Sequence, residues 1–278
     1  CVAVLFAYAS TAQIQMPAPS SAGSVSSTVG LTEVTIDYSR PKMKGRKIFG
    51  EGSDFLQPYG TLWRAGANSG TTITLSTKAT IAGTAVEAGT YLILATPGKD
   101  EFEFILYSDP SVGGNMSRVE DSKKLVTTMV KNEMLSTPVQ TLTFGISDIS
   151  DDNTSANIYF AWADASFKVP IEVNYDEMVM AQIEANTVVN PGNYMAAANY
   201  YMTTGRDAEQ ALSWVEMYLA VEGNEKQFWN VYTKAEILVD PALFRQVLMV
   251  ICKYSIKSIN AVRHSKPVLE FNVSNKEV

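Results

Sequence analysis

Between residues 31 and 173 apolar side chains recur in short alternating or fully apolar runs broken by turn residues, which is the period of β-strands. The runs are 31–38, 71–77, 84–87, 90–96, 102–107, 125–131, 139–146 and 157–163, with 168–173 as a ninth. In Phe102, Phe104 and Leu106, and again in Ile158, Phe160 and Trp162, every second side chain is apolar. One face of each strand therefore lies on a core. Ala82 with Gly83, Ala88 with Gly89, and Pro97 with Gly98 fall at the breaks and suit tight reversals. No long helical stretch separates neighbouring runs, so parallel crossovers are not expected. The pattern predicts a mainly β chain, with an antiparallel β-sandwich or barrel-like domain over 17–173.

From Asp176 the period becomes helical, first through about Ala185, with a break at Asn190, Pro191 and Gly192. Residues 194–203, a turn at Gly205 and residues 207–221 predict a helix pair in which Ala208, Ala211, Leu212, Val215 and Leu219 share one stripe. Residues 227–238 continue it with Phe228, Tyr232 and Ala235. The small and aromatic spacing over 175–238 resembles a tetratricopeptide-type helix-turn-helix, and one such repeat cannot bury its own faces. It is expected to pack on the sandwich, on further repeats or on another chain.

Charge changes the picture in two places. The 278-residue chain has a net charge of −7, which disfavours nucleic acid as a partner because phosphate binding needs a basic footprint. Residues 239–278, however, carry six basic and three acidic side chains, against 16 and 26 before them. That atypical tail is expected to be either a natural basic tail or the product of a frameshift or assembly artefact that replaces further helical sequence. At the other end, the apolar run 2–9 followed by Ser10, Thr11 and Ala12 reads as the remnant of an export signal over 1–12. The alternatives are a buried first strand or a lipidated Cys1. A periplasmic or extracellular location is expected, and no transmembrane segment, since the run is too short to span a bilayer. Cys1 and Cys252 are the only cysteines, so cleavage leaves no intrachain disulfide and no paired-cysteine zinc site.

Catalytic and cofactor motifs are weak. The sole His264 lies in the atypical tail and no Gly-x-Ser-x-Gly elbow occurs, which argues against a Ser/His triad. Gly45 and Gly50 have the spacing of a phosphate loop, but Glu51 stands where that loop needs Lys. Asp148, Asp151, Asp152 and Asn153 lack the order of a calcium loop and read as a solvated hairpin turn. No cofactor and no metal are expected. Asp37, Glu51, Asp54 and Tyr38 are the acids and bases available to a carbohydrate-active hydrolase or lyase, by location only.

The basic group stands out in an acidic chain: Arg40, Lys42, Lys44, Arg46 and Lys47, followed one loop later by Arg64 and Asn68. Guanidinium groups bind carboxylate, sulfate or phosphate in bidentate fashion, and Tyr38, Tyr59 and Trp63 offer flat faces for sugars. The alternative is that Arg64 pairs with an acid at the core edge, Trp63 fills the core and the lysines solvate a loop.

Five blocks carry a resemblance: 24–41 (SVSSTVGLTEVTIDYSRP), 44–50 (KGRKIFG), 58–68 (PYGTLWRAGAN), 71–76 (TTITLS), and 88–91 (AGTY) with Pro97 and Gly98. In order and spacing, over about residues 17–173, they resemble the bacterial domain of unknown function 2911. The resemblance implies an exported protein, often of Bacteroidota and sometimes followed by helical repeats; it implies no activity. A ligand site shared by that family would fall here on Arg46, Tyr59, Trp63, Arg64 and Asn68, with the longer insert 51–56 reshaping the loop over it. The expectation is an exported, non-catalytic binding module for an anionic or carbohydrate ligand, or an envelope component. A hydrolase or lyase, and a structural protein that docks a partner through its helical segment, are the alternatives.

Overall fold

The computed structural model describes residues 16–187 and 190–239. The expected export signal, both cysteines, His264 and all of the atypical tail beyond Val239 lie outside the described residues. The chain divides into two compact units, one ending at Asp176 and the other beginning at Glu177.

The first unit is mainly β, with antiparallel pairing throughout its two large sheets. Its strands are β1 (Ser21–Val29), β2 (Thr32–Arg40), β3 (Phe49–Gly50), β4 (Gln57–Pro58), β5 (Thr71–Leu75), β6 (Ala79–Ile81), β7 (Thr84–Val86), β8 (Gly89–Thr96), β9 (Glu101–Tyr107), β10 (Lys124–Lys131), β11 (Glu133–Ser147) and β12 (Ser155–Glu172). One sheet has the order β1-β2-β5-β8-β9-β10 and the other β11-β12-β6-β7, while β3 and β4 form a short parallel pair. The inward-facing residues of both sheets form a single core. Its centre is aromatic: Trp63 stacks on Trp162 at 5.8 Å and 25°, and Phe160 stacks on Phe167 at 4.6 Å and 17°. Phe49 meets Trp63, Phe102, Phe160 and Trp162 edge-on. Such rings contribute about 1.5–3 kcal/mol each through burial, and offset or edge-on pairs add to that.

Strands β8 and β9 are buried on both faces. Ile93, Ala95, Phe104 and Leu106 face the main core, whereas Leu92, Leu94, Ile105 and Tyr107 face outward. A 16-residue excursion between β9 and β10, residues 108–123, covers that outer patch with Val112, Met116 and Val119. Side chains shape it. Asp109 accepts from the Ser111 amide and hydroxyl and pairs with Lys123, and Asn115 accepts from the Ser117 amide and hydroxyl.

Strand β12 joins two of the runs that the alternation keeps apart. Ala163 takes a left-handed φ of 54° where the β11 register shifts, so a bulge carries the strand past the exposed Asp164. Asp148, Asp151, Asp152 and Asn153 lie in the β11–β12 hairpin. There the Asp152 carboxylate accepts from the Ser150 hydroxyl and from the amide and hydroxyl of Thr154, and Asp148 pairs with Lys168 at 2.8 Å.

Among the described residues four helices follow, starting at the junction of the units: α1 (Asp176–Thr187), α2 (Tyr194–Thr203), α3 (Ala208–Leu219) and α4 (Phe228–Val239). Asp207 caps α3, accepting from the amides of Glu209 and Gln210. The small core comprises Ala197, Ala198, Ala211, Trp214, Val215 and Ile237, with Tyr201 edge-on to Trp214 at 4.7 Å.

Candidate functional site

Residues 60–70 bridge β4 and β5 and fill the gap beside the upper half of β8. Gly60 donates to Pro97 O, and Trp63 and Ala95 exchange both of their backbone hydrogen bonds. Side chains alternate along this piece as in a strand. Leu62 packs on the outer patch, Trp63 and Ala65 enter the main core, and Arg64 turns outward to the excursion. After Arg64 the chain turns sharply, with left-handed φ at Ala65 and Asn68. Buried hydrogen bonds hold the turn: Trp63 Nε1 donates to Gly66 O at 3.0 Å, and Thr71 Oγ1 donates to Ala65 O at 2.9 Å.

The turn rests on a second backbone. A Cβ on Gly114 would lie 2.3 Å from Asn68 O and 2.9 Å from Arg64 Nη1, so only glycine permits this approach. Gly114 O accepts from Arg64 Nη1 at 2.8 Å. Arg64 Nε is buried with no hydrogen-bond partner, and no carboxylate pairs with this guanidinium among the described residues. Asn68 Nδ2 donates to Ser39 Oγ at 3.0 Å and Ser20 O at 3.4 Å. Around the turn lie the half-buried Arg64 guanidinium, whose Nε–H is unbonded, and the Ser39 hydroxyl, which already accepts from Asn68; the donors left over are those of Arg64 and Ser39, which suit an oxyanion.

Of the five sequence-predicted site residues, the fold brings Arg64 and Asn68 together at Gly114. Trp63 sits in the core at 4 % exposure, so its ring has no open face for a sugar. Arg46 folds back on its own loop, donating from Nε to Met43 O and from Nη2 to Lys42 O. Tyr59 lies in an acidic neighbourhood. Its hydroxyl is pushed above the usual tyrosine value, first by burial and then by the charges of Asp164, Glu51 and Asp100. Among the described residues no hydrogen bond, ion pair or ring contact joins Arg46 or Tyr59 to Arg64 or Asn68.

The remaining basic residues have local occupations too. Arg40 donates to Leu142 O and to Thr143 Oγ1 on β11, and Lys47 lies over the Phe55 ring at 5.6 Å. Among the candidate acids and bases, Asp37 and Tyr38 are consecutive on β2 and face opposite ways. Asp37 is exposed, whereas Tyr38 is buried with its hydroxyl donating to Phe144 O. Sequence reasoning passed over Gly113, Gly114 and Ser39. The Gly-Gly pair inside a polar gap between two strand runs was the available signal, because adjacent glycines mark close backbone approach.

A family model described as protein of unknown function (DUF2911) matches residues 20–171. No curated protein matches the chain. No solved structure matches it either.

Proposed function

We propose, for a chain that belongs to the DUF2911 family of proteins of unknown function, that the β unit is a non-catalytic binding module. Its ligand carries a carboxylate, sulfate or phosphate group, as an acidic glycan does, and that group meets Arg64, with Asn68 and Ser39 beside it. The carrying observation is the Arg64 guanidinium itself: half-buried, tied to a single carbonyl and facing no carboxylate among the described residues. A guanidinium N–H that is buried and unbonded, with no counter-charge beside it, carries a desolvation cost, and an incoming anion relieves it. Arg46 and Tyr59 are outlying contributors at most, and Trp63 serves by fixing the loop. The apolar run 2–9 supports the further reading that the module works outside the cytoplasm.

Thermal shift of the full chain against sulfate, phosphate, glucuronate and neutral glucose tests this reading. Ligand at about 100 times its Kd adds roughly 2.7 kcal/mol and raises Tm by several degrees. The expected result is a rise with the acidic compounds that is lost in Arg64→Met, a variant that keeps length and removes charge. A flat screen, or a rise unchanged in the variant, contradicts it.

The second reading, a protein that docks a partner through its helical segment, is favoured by one observation. Phe228 and Trp229 on α4 are 76 % and 55 % exposed, with ring centroids 5.2 Å apart. Replacing both with serine would then abolish partner association while leaving the β unit's melting point unchanged.

A further inference from the structure

A sheet edge presents unpaired N–H and C=O groups, and folded proteins protect such edges with charge, proline, bulges, shortness or cover. Three of the four edges of the two large sheets are protected in those ways. Strand β7 has three residues, and β10 carries lysines at both ends. Strand β11 contains Pro138 and two register shifts, and outward groups along 140–144 are taken. Met43 N donates to Gln140 O, Leu142 N donates to Pro41 O, and the carbonyls of Leu142 and Phe144 accept from Arg40 and Tyr38.

The fourth edge, β1, lacks charge, proline, bulges and shortness, and although β11 approaches it, no backbone bond covers its outward groups among the described residues. It runs nine residues (SAGSVSSTV) without charge, proline or bulge, in unbroken register with β2 from Ser21↔Arg40 to Val29↔Thr32. The two-residue hairpin makes Val29 and Thr32 a hydrogen-bonded pair, and bonding then alternates along the ladder. The amides and carbonyls of Ala22, Ser24, Ser26 and Thr28 therefore point away from β2. The far side of β2 obeys the same alternation, since Ser76 N donates to Glu33 O. No backbone bond to those four β1 residues from outside the sheet occurs among the described residues.

We propose that this edge pairs with β1 of a second copy of the chain, antiparallel and about a two-fold axis at Val25. In that register Ala22 faces Thr28 of the other copy and Ser24 faces its Ser26, so every outward group finds a partner. Val25 meets its own counterpart in a non-hydrogen-bonded pair, where side chains approach closest. Val25 is the half-buried apolar side chain in mid-strand that packs against the main core, so the pairing extends that core across the axis. The other side chains of β1 are Gly, Ala, Ser, Thr and Val, which two identical strands accommodate without clash. Charge is compatible as well. Through the β1–β2 register, Glu33 falls in line with Ser39 of the other copy and Asp37 with its Thr35, so no acid is aligned with an acid. Such an isologous contact closes on itself as a dimer rather than a fibre.

Sedimentation velocity of the full chain across a hundredfold concentration range tests the proposal, beside Ser24→Pro. Proline there removes an outward N–H and no β1–β2 bond, which an edge strand tolerates. The expected result is a two-chain species of the 30.4 kDa chain that Ser24→Pro weakens at least tenfold, while at concentrations where both are single chains its Tm stays that of the parent. Val25→Cys, with Cys1 and Cys252 replaced by serine, provides a check that survives misfolding of the proline variant. Oxidation should give a disulfide-linked dimer, because the non-hydrogen-bonded spacing of about 4.5 Å lies within disulfide reach. A single-chain species at every concentration overturns the proposal, as does a two-chain species that Val25→Cys fails to cross-link.

Discussion

The space between the two sheets and the corner outside them are both furnished by residues 62–65, and the two regions work by different physics. Inside, Trp63 is enclosed by Trp162, Phe49 and Phe160, and its one polar atom is satisfied at Gly66 O. Outside, Arg64 keeps a charge half-buried against a glycine backbone with its Nε unpaired among the described residues. The first arrangement is complete as a piece of packing; the second is a piece of polar chemistry with valence left over. A dense motif of aromatic and basic residues is therefore not one site. Strand alternation sorts it into a half that packs the core and a polar half that faces outward.

Trp63→Ala should cost about 3–5 kcal/mol in urea unfolding, the range for deleting a buried aromatic. If the core reading is right, whatever folded protein remains keeps its anion response. Gly114→Ala sharpens the other half. Its Cβ would strike Asn68 O at 2.3 Å, so backbone must move, at about 1–3 kcal/mol. That variant should weaken anion binding more than it lowers stability in proportion, since it displaces the turn that aims Arg64. Arg46→Ala should change stability by less than about 0.5 kcal/mol and leave binding intact, as expected of an exposed side chain that bonds its own loop.

Of these expectations, the core was easier to read than the corner. The alternation in Phe102, Phe104 and Leu106 or in Ile158, Phe160 and Trp162 is a local signal, and the structure places all six in the main core. Strand β1 was not legible, because Ser, Gly and Ala dominate it and its strand character comes from pairing with β2. The break read between residues 163 and 168 vanished for a related reason: a bulge at Ala163 absorbs what looks in sequence like a turn. The excursion 108–123 carries almost no periodicity and is held by side-chain caps from Asp109 and Asn115. Gly114 therefore could not be set beside Arg64, which lies fifty positions earlier. Density of basic residues points to Arg46 and the lysines, whereas a buried Nε without a hydrogen-bond partner distinguishes Arg64.

The smallest expected effect concerns pH at the hairpin opposite in character to the Arg64 corner. There the Asp152 carboxyl is held at about 2 by the Ser150 hydroxyl and by the amide and hydroxyl of Thr154. An unfolded aspartate titrates near about 3.9. Because the folded value is the lower one, its stabilisation is present above the unfolded value and is lost as pH falls from about 4 to about 2. Asp152→Asn should flatten the acid limb of Tm against pH in that window and leave anion binding near neutrality unchanged.

The most direct measurement is a titration of the full chain with sulfate and with glucuronate, following the arginine side-chain Nε–H signals by ¹⁵N NMR. A saturable shift of the Arg64 signal, with Arg46 still, is the predicted result. A silent Arg64 signal, or linear drift shared by the exposed basic residues, would mean that the guanidinium only ties residues 62–68 to Gly114 and that the corner holds no ligand.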